Sequence, residues 1–458
     1  MTEQTKPRIG VDGYNLALAR GTGIATYART LTHCLERLGH PIDVLYGLNI
    51  QPNTPATLQE VQFFDQLATE RGPRRPKFPA PDWWKQAALS TLGRTAFQVP
   101  ITGRVVADSF EGRMPRYDRI LNVHDLWVTA DRHFKLTGRF LRLRWPDTPS
   151  VAPPAIMHWT YPLPILLEGA RNIYTIHDLV PLRLPHTTLD NKQHYFRLIT
   201  GCLRWGDHVC TVSDTSRQDI IDLFPGTNPA RITNTYQSFA PPTQALAMSD
   251  AEVADQVRGL FGLEPQGYFL YFGAIEPKKN VGRLLEAYLT GGFETPMVVV
   301  SARSWQNEAE TRLLNPAGTE HGRARNVIQM EYMPAAMLTT LVRGAKAVCF
   351  PSLYEGFGLP VLEAMALGTP TLTSSTGSLP EITGGASLAI DPYDTTSIAA
   401  GLHRLHDDPA LRAELSAKGR IRAADFDMPH YQARVAAMYD QMMATPRNRS
   451  MLSKSRET

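Results

Sequence analysis

Short apolar runs alternate along this chain with longer stretches in which apolar positions recur every three or four residues, and they do so in two series. The first series comprises Ile9–Asp12, Asp43–Tyr46, Arg119–Val123, Ile156–Trp159, Ile173–Ile176 and His208–Val212. The second comprises Tyr268–Phe272, Met297–Ser301, Val327–Met330, Ala347–Phe350, Thr371–Thr373 and Leu388–Ile390. Strand-length apolar runs separated by helical periodicity predict parallel α/β sheets. Two series predict two Rossmann-like halves joined by a hinge. Ala240-Pro241-Pro242-Thr243 lies between them and suits a linker. The expected division is an N-terminal domain over 1–242 and a C-terminal domain over 243–428. A final helix over 429–445 follows, then a polar, basic tail over 446–458 expected to be disordered.

With 458 residues, 43% hydrophobic and 20% charged, the chain has the composition of a globular protein of two or three domains. No run approaches the roughly 18–20 apolar residues of a membrane span. The polar stretch Met1 to Arg8 leads straight into the first strand, so no signal peptide is expected. Cys34, Cys202, Cys210 and Cys349 are widely spaced, without metal or disulfide spacing, and Cys210 and Cys349 sit in strand-like runs as small core residues. A reducing cytoplasm fits.

The net charge of +3 is unevenly placed. Residues 71–146 hold 15 Lys or Arg against 6 Asp or Glu, which leaves the rest of the chain acidic. This basic insertion, about 71–150, includes a proline-rich loop from Arg71 to Pro81. Within it Arg132, Lys135, Arg139, Arg142 and Arg144 interleave with Phe134, Leu136, Phe140, Leu141, Leu143 and Trp145. That composition suits a helix lying on an anionic membrane surface. It equally suits an amphipathic helix packed on its own domain with a solvated basic face. Nucleic acid is not expected, because the chain as a whole lacks a strongly basic balance.

The densest chemistry lies in residues 352–363, S-L-Y-E-G-F-G-L-P-V-L-E. A strand enters this segment and a helix-forming run leaves it. Glu355 and Glu363 bracket a turn containing Gly356 and Gly358. A helix N-terminus has unpaired amide donors and a positive dipole end, so it attracts phosphate. The glycines let backbone approach a ligand closely. If the run from Leu359 is helical, Glu363 stands one turn inside, where its carboxylate can accept from ribose hydroxyls.

This E-x7-E pattern, followed by Ala364-Met365-Ala366-Leu367-Gly368-Thr369-Pro370, resembles the family-4 retaining glycosyltransferases of the GT-B architecture. The resemblance implies two Rossmann-like domains facing across a cleft, with Gly356, Phe357, Gly358, Leu359 and Glu363 on the donor and Glu355 positioning the transferred sugar. Gly21 and Gly23, in the turn after the first strand, resemble the family's turn whose amides face the donor phosphate. The NAD fingerprint is incomplete there, since its third glycine falls at Thr26. Lys278 and Lys279 follow Phe272-Gly273-Ala274 and suit a diphosphate leaving group. Many relatives carry an arginine where this chain has Ala274, so Lys279 bears more of that role. His177, in Ile176-His177-Asp178-Leu179, resembles the family's histidine facing the donor sugar. His124 is expected to be structural or part of an acceptor loop, and His158 to line the cleft. Tyr332 and Met333 are expected beside the nucleotide base. Asp425-Phe426-Asp427 reads as helix capping or surface charge, and neither metal nor cofactor is expected.

The strings Y-T-I-H-D-L-V-P-L-R-L-P and A-I-E-P-K-K-N resemble a bacterial mannosyltransferase-like subgroup. That implies GDP-mannose as the donor substrate, a carbohydrate or lipid-linked saccharide as acceptor, and work at the cytoplasmic face of a membrane. A nucleotide-sugar epimerase and a non-catalytic GT-B partner subunit are the alternative readings.

Overall fold

The computed structural model describes residues 6–17, 23–68, 93–106, 114–146, 151–301, 310, 313, 326–331 and 333–446. Gly21, Tyr332, the whole proline-rich loop from Arg71 to Pro81 and all but the first residue of the tail lie outside them. The N-terminal half contributes eleven described strands: β1 (Ile9–Asp12), β2 (Ile42–Tyr46), β3 (Arg94–Thr95), β4 (Phe97–Val99), β5 (Arg119–Asn122), β6 (Leu141–Arg144), β7 (Ile156–Trp159), β8 (Ile165–Leu167), β9 (Arg171–Ile176), β10 (His208–Thr211) and β11 (Ile232–Asn234). The C-terminal half contributes β12 (Phe269–Phe272), β13 (Met297–Val300), β14 (Val327–Met330), β15 (Ala347–Phe350), β16 (Thr371–Ser374) and β17 (Leu388–Ile390).

The larger sheet runs β11-β10-β9-β7-β1-β2-β5-β4, and only its β4–β5 edge is antiparallel. The second sheet is parallel throughout, in the order β14-β13-β12-β15-β16-β17. Each sheet reverses its winding at a central strand, between β1 and β7 in the first and between β12 and β15 in the second. In open parallel sheets, ligands bind at the carboxyl ends of strands beside such a reversal. The strands are buried on both faces: Val11, Val44, Phe269 and Val299 on one side, and Leu45, Met157, Leu270 and Val298 on the other, are wholly buried.

The basic block does not form one long helix. The helix Leu126–Thr137 stops at Gly138, whose φ of 68° closes it with an N–H to the Phe134 carbonyl at 2.8 Å. Leu141-Arg142-Leu143-Arg144 then alternates with period two, as strand β6 of a small sheet β3-β6-β8. Leu141 and Leu143 are fully buried and Phe134, Phe140 and Trp145 nearly so, in one core cluster with Met157 and Trp159. Arg142 and Arg144 pair with Glu168 at 3.4 and 3.3 Å. All of these apolar side chains but the exposed Leu136 pack in the protein's own core, so this segment is not the single amphipathic helix expected from its composition. No helix among the described residues is long and apolar enough to cross a membrane.

The chain passes between the two halves at residues 235–243 and again near Phe426, where the Phe239 N–H meets the Phe426 carbonyl at 3.3 Å. Asp427 caps the helix Met428–Ala444 through the His430 N–H at 2.9 Å. That helix lies on the larger sheet: Tyr439 Oη and His158 Nδ1 are 2.7 Å apart, and Arg171 reaches the Thr445 carbonyl at 2.7 Å. All four cysteines are buried and free.

Candidate active site

The site sits where carboxyl ends of the two sheets face each other. After β12, Gly273 (φ 135°) turns the chain into a short 3-10 turn, Pro277–Lys279, that presents both lysines. Asn280 ends the turn at φ 61°, a left-handed conformation that asparagine tolerates better than most residues. Its buried amide donates to the carbonyls of Pro351 and Pro392 at 3.0 and 2.7 Å, and the Leu353 N–H reaches the Lys278 carbonyl at 2.7 Å. The lysine turn is thereby bolted to the loop after β15. That loop ends at Gly358 (φ 103°), which starts the helix Leu359–Ala366 with Glu363 one turn inside.

Lys279 Nζ stands 2.6 Å from Glu355 Oε1, with both side chains largely buried, and lies 5.1 Å from the centre of the Phe350 ring. Glu355 is further fixed through its backbone, since its carbonyl accepts from Ser378 Oγ at 3.0 Å. Lys278 reaches across to Asp178 of the other half at 3.8 Å. Burial pulls the Lys278 pKa down, but Asp178, Glu355 and Glu276 outweigh it and hold it above the ordinary lysine value. Glu363, one turn inside the helix Leu359–Ala366, has its pKa pushed up to about 7 by burial. Among the described residues no hydrogen-bond donor reaches its carboxylate, so the group stays available to a ligand.

His177 directly follows β9. Its Nε2 is 2.8 Å from the Thr160 carbonyl, and its ring meets Tyr27 edge-on at 4.9 Å. Burial depresses its pKa, so the ring is neutral at neutral pH. Tyr27 is a packing residue, buried and hydrogen-bonded to Thr175 at 2.9 Å. Gly23 opens the helix Gly23–Arg37 beside Leu359, whose Cδ1 is 3.8 Å from where a Gly23 Cβ would stand. Two helix N-termini, one from each half, thus converge on the cleft. A cavity of about 560 Å³ extends from there between the halves, lined by Ile24, Tyr161, His177, Asp190, Tyr195 and Lys278 among others.

Some expected residues stand elsewhere or act differently. Gly356 approaches protein: a Cβ there would lie 2.2 Å from the His177 carbonyl oxygen. The Phe357 ring is buried against Phe426 at 5.6 Å and Tyr236 at 6.5 Å, so only its backbone can face a donor. Met333 packs, half-buried, beside the core of the second sheet, while Gly21 and Tyr332 lie outside the described residues. His158 does not line the cleft; it is fully buried between Tyr439 and Thr175, with its pKa lowered to about 3 by burial. His124 is partly exposed and bonds Asn49 at 2.7 Å.

Sequence reasoning missed the residues that join the halves. Glu381 caps the helix Asp214–Leu223 from across the cleft, accepting from the N–H groups of Asp214 and Thr215 at 2.7 and 3.0 Å and from Thr215 Oγ at 2.8 Å. Tyr354 donates to Asp219, which Arg183 also holds at 3.2 Å. Neither contact has a local sequence signal. Asn280 had one, a side chain suited to positive φ directly after two lysines.

The family model described as "Glycosyl transferases group 1" matches residues 259–422, the half that carries the lysine turn and both glutamates. O-antigen chain mannosyltransferase B of Escherichia coli is 35% identical over 270 residues, covering 58% of this chain and 68% of that protein. The chain belongs to the group 1 glycosyltransferases. A second relative, the serotype-specific mannosyltransferase WbdA of Escherichia coli, is 26% identical over 366 residues, 74% of this chain but only 44% of that longer protein. HepE of Anabaena, solved in complex with UDP-glucose, aligns over 95% of this chain with a TM-score of 0.63 at 13% identity, a likeness of fold. The transferase thus has the GT-B architecture.

Proposed function

We propose that the transferase moves a mannosyl residue from GDP-mannose to a saccharide acceptor, with retention at the anomeric carbon. The observation that carries the reading is the Lys279–Glu355 pair, set beside the N-terminus of the helix Leu359–Ala366 and opposite His177. The lysines and the helix dipole are suited to a diphosphate, whose departure they favour by meeting the charge that develops on its oxygen. In this reading the C1–O bond to the diphosphate breaks. The acceptor hydroxyl forms the new C1–O bond from the same face, and its proton passes to the departing phosphate oxygen. Glu355 positions the sugar, His177 touches it from the opposite half, and Glu363 holds the ribose.

The names of two relatives support mannose as the sugar, and the first supports a glycan chain as acceptor. A lipid-linked or growing polysaccharide handled at the cytoplasmic face of a membrane follows from that likeness. A thermal-shift panel of GDP-, UDP- and ADP-sugars tests the donor, because a ligand that binds only the folded state raises the melting temperature. Stabilisation by GDP-mannose, followed by mannose incorporation into an acceptor extract, is the expected result. Stabilisation by another nucleotide sugar alone overturns the donor assignment. Sugar conversion without any acceptor overturns the transfer.

A further inference from the structure

We propose that Asp12 is a positioning residue for His177, acting through the backbone of Thr160; the consequence for catalysis rests on the reading above that His177 faces the donor sugar. The three residues end or directly follow β1, β7 and β9, which are adjacent in the sheet with β7 in the middle. The Asp12 side chain is wholly buried. Its Oδ2 accepts a hydrogen bond from the Thr160 N–H, and its Oδ1 accepts from the Tyr14 N–H at 3.2 Å. Thr160, also wholly buried, then presents its carbonyl to His177 Nε2 at 2.8 Å. Thr160 is clamped from both sides, by a carboxylate at its N–H and by the imidazole at its carbonyl.

The clamp fixes chemistry as well as position. A carbonyl oxygen only accepts, so Nε2 must carry the proton of the neutral ring and Nδ1 must carry the lone pair. His177 is therefore set as a hydrogen-bond acceptor at Nδ1, suited to a sugar hydroxyl and unable to act there as an acid. The identity of Asp12 fits this role. It offers two oxygens to two amides at once, whereas asparagine has one acceptor oxygen and would turn an NH2 toward the other N–H. Among the described residues no cation pairs with Asp12, and burial raises its pKa to about 6. A buried carboxylate without a cation is costly, and what it secures here is the fixed placement of Thr160.

The test compares Asp12→Asn, His177→Ala and the double variant of the full-length enzyme. The ring ¹⁵N signals of histidine-labelled protein are recorded, and the His177→Ala spectrum identifies which belong to His177. Wild-type enzyme is expected to show His177 as a single Nε2–H tautomer, and Asp12→Asn to show a mixture. In mannose transfer from GDP-mannose, Asp12→Asn is expected to lower kcat about tenfold to a hundredfold, with donor KM changed less than threefold. In the His177→Ala background it is expected to cost less than twofold. An Nδ1–H tautomer in the wild type, or an unchanged tautomer in Asp12→Asn, overturns the proposal. So does an equal cost of Asp12→Asn in both backgrounds, which is what a merely structural role gives. Should Asp12→Asn fail to fold, the wild-type tautomer and Asp12→Glu, expected to fold and to shift the His177 signals, decide in its place. Wild-type transfer by His177→Ala sinks the assignment of His177 to the donor sugar, while the tautomer measurement still judges the clamp.

Discussion

Lys279 and Glu355, two residues 76 positions apart, meet at 2.6 Å beside the start of the helix Leu359–Ala366. The ammonium that would neutralise a diphosphate is already neutralising the carboxylate that would position the sugar. The pair is held in a largely buried place, so donor binding must share or displace it. Removing one partner leaves the other charge buried and uncompensated, which is more costly than removing both. Lys279→Ala is expected to lower stability by about 2–4 kcal/mol and Glu355→Gln by less, because its amide keeps a neutral contact. Both are expected to remain folded and to lower kcat by about a hundredfold. The double variant should regain most of the lost melting temperature and none of the activity. Near-normal transfer by both single variants removes this pair from the site.

A second expectation concerns how closely the halves approach. Gly356 abuts the backbone where β9 ends, with room for no side chain against the His177 carbonyl and the Asp178 Cβ. Neither neighbour is a flexible tip that can swing aside. Gly356→Ala must therefore move one half relative to the other, at about 1–3 kcal/mol. Transfer should fall at least tenfold while the unfolding temperature changes little, and small-angle scattering should show a larger radius of gyration. An unchanged scattering profile together with full activity contradicts this.

The fold was largely legible because the parallel strands read as short, mostly apolar runs. Ile9–Asp12, Ile156–Trp159, Val327–Met330, Ala347–Phe350 and Leu388–Ile390 start and stop where the sequence pattern does. Leu141–Arg144 was misread because leucines and arginines that alternate over only four residues can be fitted to a helix as well as to a strand. Gly138 was the discriminating residue, since it ends the preceding helix. In the site, the E-x7-E turn and the lysines were visible because each set is local in sequence. Glu381 was not, because its meaning depends on amides 166 residues away in the chain. Asp12 was not, because an acidic residue ending a first strand has no signature until β7 brings Thr160 beside it.

Glu381 yields a third prediction. It gives the helix Asp214–Leu223 a second cap besides Ser213, whose side chain accepts from the Ser216 N–H. Because Ser213 remains, Glu381→Ala should leave that helix formed and weaken only the contact between halves. A helix cap contributes about 1–2 kcal/mol, which corresponds to roughly a tenfold shift toward separated halves. Donor KM should rise by up to that factor, with a larger radius of gyration and an unchanged far-ultraviolet circular dichroism spectrum. Loss of helical signal instead means that Glu381 serves the helix alone.

Glu363 gives the last prediction, which concerns pH. Its pKa is raised by burial from 4.5 to about 7, so the folded protein binds a proton here that the unfolded chain releases near 4.5. The folded state therefore carries no penalty from this group below about pH 4.5. Stability falls as pH rises from there through about 7, by on the order of 3 kcal/mol, and levels off above. Glu363→Gln should flatten this part of the stability profile and melt at a higher temperature than the wild type at pH 8. Donor affinity should show the opposite trend. A carboxylate accepts from two ribose hydroxyls and a protonated carboxyl does so poorly, so wild-type binding of GDP-mannose should strengthen as pH rises from 6 to 8. In Glu363→Gln binding should be weaker, with this pH dependence removed. Calorimetry at pH 6, 7 and 8 measures both trends, and a wild-type affinity that does not change with pH rules out Glu363 as the ribose acceptor.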